Sequence, residues 1–171
     1  MASTLESITQ ILSDKKTMTA ISKSLGITAE DAGTVLASVL PELLKGASAQ
    51  ASNKKTQESF AKALEDHSST SKFNLSSFFK NVDLDDGAKI VGHLLGTKQT
   101  STAKAVSKKT GIDTKEVLKI AAAAAPLILT LVGNETKKQQ KKESEASGLG
   151  TIAKTLLSNV DATDILKALI K

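Results

Sequence analysis

The sequence contains no cysteine, tryptophan or tyrosine, and its 171 residues include only two prolines and four phenylalanines. The absence of cysteine excludes disulfide bonds, thiolate metal ligands and cysteine nucleophiles, and it suits a reducing compartment. The scarcity of aromatic residues argues against strands, which favour them. The apolar content comes mainly from alanine, leucine, isoleucine and valine. Because alanine and leucine are strong helix formers, the composition favours an all-α fold.

Arginine is also missing, so that all 23 basic residues are lysines. They outnumber the 18 acidic residues and give a formal net charge of +5. Arginine makes bidentate contacts with phosphates and guanine edges, whereas lysine acts only as a point charge. Any site for phosphate or nucleic acid in this chain therefore depends on lysine alone.

The longest apolar run, IAAAAAPLILTLVG at 120–133, raises the question of a membrane segment. It is shorter than the roughly 20 apolar residues that span a bilayer, and Lys119 and Glu135 bound it. The start of the chain, MASTLESITQIL, lacks the basic and apolar regions of a secretory signal. We therefore expect a buried core helix, no integral membrane segment and a cytoplasmic location.

The chain repeats itself at a spacing of 85 residues. Residues 21–51 align without a gap on residues 106–136, with seven identities in 31 positions. Average residue usage would give about two identities by chance. The sequence therefore predicts two pseudo-repeated three-helix units, packed together in one compact domain.

Each unit is expected to contain a first helix, a short helix and a long helix. In order, these are 4–13, 17–24 and a helix after Thr28 in the first unit, and 85–95, 101–109 and a helix after Asp113 in the second. Gly26 and Gly111 end the short helices, because glycine most easily takes the left-handed conformation needed there. Thr28 and Asp113 are predicted N-caps, since each has an acidic residue three positions later.

The two prolines align with each other, about 13 residues inside the long helices. The rings of Pro41 and Pro126 displace the carbonyl four residues earlier, and each proline lacks the N–H for one helical hydrogen bond. Those carbonyls belong to Ala37 and Ala122. We expect a kink or a break at both places.

The remaining segments complete the predicted organisation. Another helix is expected at 48–66 and a short one at 74–79. NVDLDDGAKIV at 81–91 resembles NVDATDILKAL at 159–169, which suggests that the tail restarts a first helix. The predicted divisions are 1–66 for the first unit and its following helix, 73–133 for the second unit, 134–147 for a polar Lys-rich linker or helix extension, and 148–171 for a C-terminal helical pair.

The order of these features resembles the YidB-like bacterial family of unknown function, over about residues 5–133. The residues that carry the resemblance are His93-Leu94-Leu95-Gly96, Gly111-Ile112 and Ala125-Pro126-Leu127, with Leu40-Pro41 and Leu43-Leu44 in the first unit. The resemblance implies an all-helical fold that has been compared with homeodomain-like folds. It implies no settled activity.

Nucleic-acid binding is one hypothesis, because the second unit resembles a helix-turn-helix motif. The candidate phosphate contacts are Lys108, Lys109, Lys115 and Lys119. The long helix of the first unit instead begins with Glu30 and Asp31, which repel phosphate. The long helix of the second continues as IAAAAAPLIL, which has no side chains to read bases. The lysine run at 137–142 either attracts anions or belongs to a solvated linker.

The sequence offers no convincing catalytic or metal-binding set. His93 lies among apolar residues, which favours a half-buried structural role, and His67 is predicted in a polar loop. The acidic residues at 83–86 lack the spacing of a calcium loop and are expected to cap a helix. No phosphate-binding loop, dinucleotide fingerprint or nucleophile elbow is present. We expect neither an enzyme nor a bound cofactor.

The preferred hypothesis is a non-catalytic module for protein–protein interaction or self-assembly. Repeated helical units bury their apolar faces against neighbours and leave end faces for association. The expected partner is another protein or a second copy, giving a homo-oligomer. The alternative is weak, lysine-mediated and non-specific nucleic-acid binding through the helix-turn-helix-like second unit.

Overall fold

A computed structural model describes residues 10–11, 14–68 and 75–142. These residues contain no strand, which confirms the all-α prediction. The helices are α1 (Lys15–Leu25), α2 (Ala29–Ser52), α3 (Gln57–His67), α4 (Leu75–Lys80), α5 (Leu84–Leu95), α6 (Gln99–Thr110) and α7 (Thr114–Lys142), with a 3-10 helix (Gly96–Lys98) between α5 and α6. The predicted pair at 148–171, and all of the predicted helix at 4–13 except Gln10 and Ile11, lie outside the described residues.

The helix predicted at 48–66 is present but shorter, as α3 (Gln57–His67), because the chain turns between α2 and α3. The backbone N–H of Asn53 closes α2 by donating to the carbonyl of Ala49. The side chain of Asn53 then accepts a hydrogen bond from the backbone N–H of Lys55 at 3.0 Å, and the Thr56 hydroxyl donates to the carbonyl of Gln50 at 2.8 Å. Asparagine and threonine form such turns by bonding to nearby backbone groups, which competes with a continuous helix.

Left-handed glycines end the two short helices. Gly26 follows α1 with φ 70°, and Gly111 follows α6 with φ 76°. The amide of each donates to the carbonyl four residues earlier, on Ser22 and Ser107 respectively. At the start of α2, the Thr28 hydroxyl accepts a hydrogen bond from the backbone N–H of Asp31 at 3.0 Å. These contacts fix where the chain reverses between a short helix and the long helix after it.

The centre of the fold is α7, whose residues 120–133 are all buried. This helix packs most extensively against α5 and also touches α2, α3 and α6. Within the described ranges it contains one stretch, Thr114–Lys137, that is long and apolar enough to cross a membrane, with mean hydropathy 1.8. Because 83% of that stretch's apolar window is buried inside the described structure, α7 is packed as a core helix, as the sequence predicts. Residues 134–142 of the predicted linker continue this helix.

Of the expected kink or break, a break is absent, because both prolines lie inside uninterrupted helices. Helix α2 continues for 24 residues across Pro41, and α7 continues for 29 residues across Pro126. Both prolines are buried. Tertiary packing on the long apolar faces of these helices outweighs the loss of one hydrogen bond in each.

The backbone of α5 touches the backbone of α7 at Gly87. A Cβ atom at this position would lie 1.8 Å from the carbonyl oxygen of Ala122. That oxygen belongs to the residue four before Pro126, which has no N–H to donate to it. Gly87 therefore brings its Cα–H group, a weak hydrogen-bond donor, against the Ala122 carbonyl, which receives no helical hydrogen bond from Pro126. Two other glycines, Gly46 and Gly133, approach the carbonyls of Leu94 and Leu64 in a similar way.

Candidate functional site

Four lysines predicted to contact phosphate lie around the turn between α6 and α7. Lys108 and Lys109 occupy the last turn of α6, whereas Lys115 and Lys119 lie near the start of α7. All four are exposed. They share this surface with two exposed acidic residues, which are Asp113 and Glu116.

The turn that carries these lysines is held by backbone and hydroxyl contacts. The amide of Gly111 donates to the carbonyl of Ser107 at 2.8 Å, and the Thr110 hydroxyl donates to the carbonyl of Val106 at 2.7 Å. The next residue, Ile112, is only 9% exposed and anchors the turn to the core. The lysine-bearing helix ends are therefore fixed relative to each other.

The burial of α7 restricts what this turn could read on a nucleic acid. In a helix-turn-helix protein, the second helix enters the major groove and presents side chains to base edges. Here every residue of α7 from Ile120 to Gly133 is buried. Between Thr114 and Gly133, side chains open to solvent occur only in the first two turns, so any contact with a nucleic acid from this part of α7 must come from those turns.

Positive charge is concentrated on the two short helices. All charged residues of α1 and α6 are exposed lysines, which are Lys15, Lys16, Lys23, Lys104, Lys108 and Lys109. By contrast, α2 begins with the acidic pair Glu30 and Asp31. The electrostatic field thus favours anionic partners on the short helices and disfavours them at the start of α2.

A concave surface lies between α1 and α4, and we call it the α1/α4 groove. It encloses about 300 Å³ and is lined by Ala20, Lys23, Ser24, Phe79 and Lys80. The Ser24 hydroxyl donates to the carbonyl of Phe79 at 3.2 Å, which ties the two helices together. The ring of Phe79 is only 3% exposed and meets the ring of Phe78 edge to face, with centroids 5.2 Å apart.

A second concave surface, the α2/α6 groove, is wider and more polar. It measures about 440 Å³ and is lined by Ser38, Glu42, Ser101, Thr102, Ala105, Val106 and Lys109. Two of its hydroxyls already donate to backbone carbonyls, from Ser38 to Thr34 at 3.2 Å and from Ser101 to Lys98 at 3.0 Å. These local bonds leave the groove without a convergent set of free donors.

The two histidines differ from their predicted environments. His93 is exposed rather than half-buried. His67 is the last residue of α3 and not part of a loop. Its Nδ1 lies 2.9 Å from the carbonyl oxygen of Ala63, and its Nε2 lies 3.1 Å from Oδ2 of Asp86 in α5. Since both neighbours are acceptors, both ring nitrogens donate only when the imidazole carries two protons.

No metal site is formed among the described residues. No group of three or more histidine, aspartate or glutamate side chains in them could hold a metal ion. The carboxylate of Asp83 accepts hydrogen bonds from the backbone N–H groups of Asp85 and Asp86, so it caps α5. Within the same part of the chain, every buried side-chain nitrogen or oxygen has a hydrogen-bond partner.

Sequence reasoning missed the α1/α4 groove and the contact between His67 and Asp86. The groove joins residues more than 50 positions apart, so no local pattern indicated it. Two weak signals were present in the sequence: α1 contains no acidic residue, and a phenylalanine pair is followed directly by Lys80. Neither signal indicates that the two segments meet.

These features define an all-α protein whose candidate sites are surface grooves and lysine-rich helix ends. The family model described as "Bacterial protein of unknown function (DUF937)" matches residues 8–135. The chain therefore belongs to this bacterial family. No curated protein and no solved structure shows a significant match to the chain.

Proposed function

We propose that the protein is a non-catalytic interaction module of the bacterial cytoplasm, which associates with another protein or with a second copy of itself. The supporting observation is the pair of grooves. Each is formed between a neighbouring helix and one of the two short helices, α1 and α6, in which lysine is the only charged residue type. Grooves of this kind receive side chains from a partner, and the surrounding charges steer the encounter.

The proposed internal duplication relates one wall of each groove. In the repeat alignment α1 corresponds to α6, whereas α4 and α2, which form the other walls, do not correspond to each other. A duplicated homeodomain-like, YidB-like unit would thus use equivalent short helices in two different binding surfaces. The α1/α4 groove is lined by Ala20, Phe79 and two lysines, whereas the α2/α6 groove is lined by several hydroxyl groups and one acidic residue.

Light scattering and analytical ultracentrifugation of the full-length protein would test this proposal. We expect the average mass to rise between micromolar and near-millimolar concentration, or a specific partner to be crosslinked in bacterial cells. A strict monomer over the whole range, with no reproducible crosslinked partner, would contradict the proposal. Crosslinking with mass spectrometry also reports which surface is used.

Non-specific nucleic-acid binding is the second candidate function. The observation that favours it is the placement of four exposed lysines around one rigid turn. Fluorescence anisotropy with duplex DNA at several salt concentrations would test it. Phosphate binding by a few lysines predicts an affinity that falls steeply with salt and depends little on sequence. No binding at low salt would remove this candidate.

A further inference from the structure

We infer that the α1/α4 groove is a docking site for an acidic peptide segment of another protein, which inserts an aliphatic side chain between the two helices. This inference rests on the proposed interaction function and specifies its partner by charge and shape. Three features of the groove support it: a preformed apolar floor, a lysine rim and the absence of acidic residues in both helices.

The floor of the groove is apolar and already in place. Phe79 lines it, is only 3% exposed as a whole residue, and has its ring packed edge to face against the ring of Phe78. Ala20, whose side chain is a single methyl group, also lines the groove. About 300 Å³ is at the lower end of the usual range for ligand pockets. This volume admits a branched aliphatic side chain but not a whole helix.

The rim of the groove carries positive charge without internal compensation. Lys23 of α1 and Lys80 of α4 line the groove from its two helices, and both are exposed. Within the described ranges, neither ammonium group has a carboxylate within 4.0 Å. Both helices contain lysine as their only charged residue type. Carboxylates on either side of an inserted aliphatic residue would meet these two ammonium groups.

A peptide fits these features better than a nucleic acid or a membrane. A phosphate backbone would engage the lysines, but it has no aliphatic group to fill the cavity above Phe79. A bilayer surface binds protruding apolar side chains, whereas here the apolar surface is recessed between two helices. An acidic peptide with one aliphatic side chain would fill the cavity with that side chain and place its carboxylates beside the ammonium groups of Lys23 and Lys80.

Titration of the full-length, ¹⁵N-labelled protein with synthetic peptides would test the inference. The probe is a soluble peptide with one central leucine flanked by glutamates. The matched peptides replace the leucine by alanine or the glutamates by glutamine. We expect the probe to shift the amide signals of Ala20, Ser24 and Phe79, and both matched peptides to bind more weakly. The glutamate contribution should diminish as salt is added.

Charge reversal at the rim provides the matched protein variants. The double variant Lys23→Glu with Lys80→Glu replaces two attractive contacts by repulsive ones, so we expect at least about tenfold weaker binding. The control Lys54→Glu with Lys98→Glu makes the same change in net charge at exposed positions outside the groove. We expect its affinity for the probe to stay within about twofold of the unchanged protein. Circular dichroism verifies that both variants remain folded.

Four results would overturn the inference: no saturable binding of the probe, shifts that map elsewhere, equal weakening by the control variant, or duplex DNA shifting the groove amides at lower concentration than the probe. A fifth would be contacts between the Phe79 ring and residues 148–171 of the same chain, which would show the groove already filled. If any of these occurs while association or crosslinking persists in the rim variant, the docking site fails and the interaction function stands.

Discussion

Replacing Gly87 by alanine tests whether the close contact between α5 and α7 holds the core together. The added Cβ would lie 1.8 Å from the carbonyl oxygen of Ala122 and 2.7 Å from its carbonyl carbon. These are backbone atoms in the buried part of α7, so they cannot swing aside as the end of a side chain could. The two helices must separate locally, which weakens packing along the most extensive helix contact in the described residues.

The expected magnitude follows from two opposing contributions. Forcing an extra methyl group into a well-packed core costs about 1–3 kcal/mol, and contact with backbone places this case at the upper end. Alanine in place of glycine stabilises a helix by about 1 kcal/mol. The expected net loss for Gly87→Ala is therefore about 2 kcal/mol. For a chain of this size, that lowers the melting temperature by about 4–8 °C.

A matched control exists one turn later in the same helix. A Cβ at Gly92 would meet only the flexible Gln99 side chain, at 3.6 Å, which is ordinary contact. Gly92→Ala should therefore gain helix stability, by up to about 1 kcal/mol. Urea unfolding followed by circular dichroism measures both variants, and similar slopes would show that the unfolded states are comparable. If Gly87→Ala proved as stable as Gly92→Ala, the proposed close contact would be refuted.

Three further substitutions probe the turn, the α3–α5 contact and the core. Gly111→Ala should lower the free energy of unfolding in urea by about 1–2 kcal/mol because φ is 76°, although a Cβ there meets nothing within 4 Å. Gly111→Asn should lower it less, and equal losses for the two variants would show that the left-handed conformation is not the cause. A double-mutant cycle on His67 and Asp86 should give a coupling energy of about 0.2–1 kcal/mol, because the pair is partly exposed. With a protonated imidazole the coupling should decrease with salt, and a coupling unchanged in high salt would indicate a neutral hydrogen bond instead. Leu127→Ala removes a side chain with no exposed surface and should lower the free energy of unfolding by about 2–5 kcal/mol. Leu118→Ala, at a half-exposed position of the same helix, should lower it less, and the reverse order would contradict the observed orientation of α7.

Local chemistry made much of the helical organisation predictable. The short helices were expected at 17–24 and 101–109 and extend over Lys15–Leu25 and Gln99–Thr110. Their ends at Gly26 and Gly111 depend only on the conformational freedom of glycine and on hydrogen bonds within four residues. By contrast, the helix predicted at 48–66 begins only at Gln57, because the turn at Asn53 uses side-chain bonds that the hydrophobic pattern does not reveal.

The candidate site was less predictable than the helices. The four lysines near Gly111 were identified from the sequence because they flank one local turn. The α1/α4 groove could not be, since Ala20 and Phe79 become neighbours only when α4 packs on α1. Its charge was visible in the composition of α1, but the apolar floor belongs to a distant segment.

By itself, the sequence determined that the protein is helical, where its glycine turns fall and that its basic surface consists of lysine alone. These properties follow from residue composition and from interactions between close neighbours in the chain. Only the tertiary structure decided which helices cover the apolar run, that Gly87 lies against the carbonyl freed by Pro126 and that a lysine-rimmed groove forms between α1 and α4. Each of these depends on shape complementarity between distant segments, because helix packing is set by which side chains and backbones can approach closely.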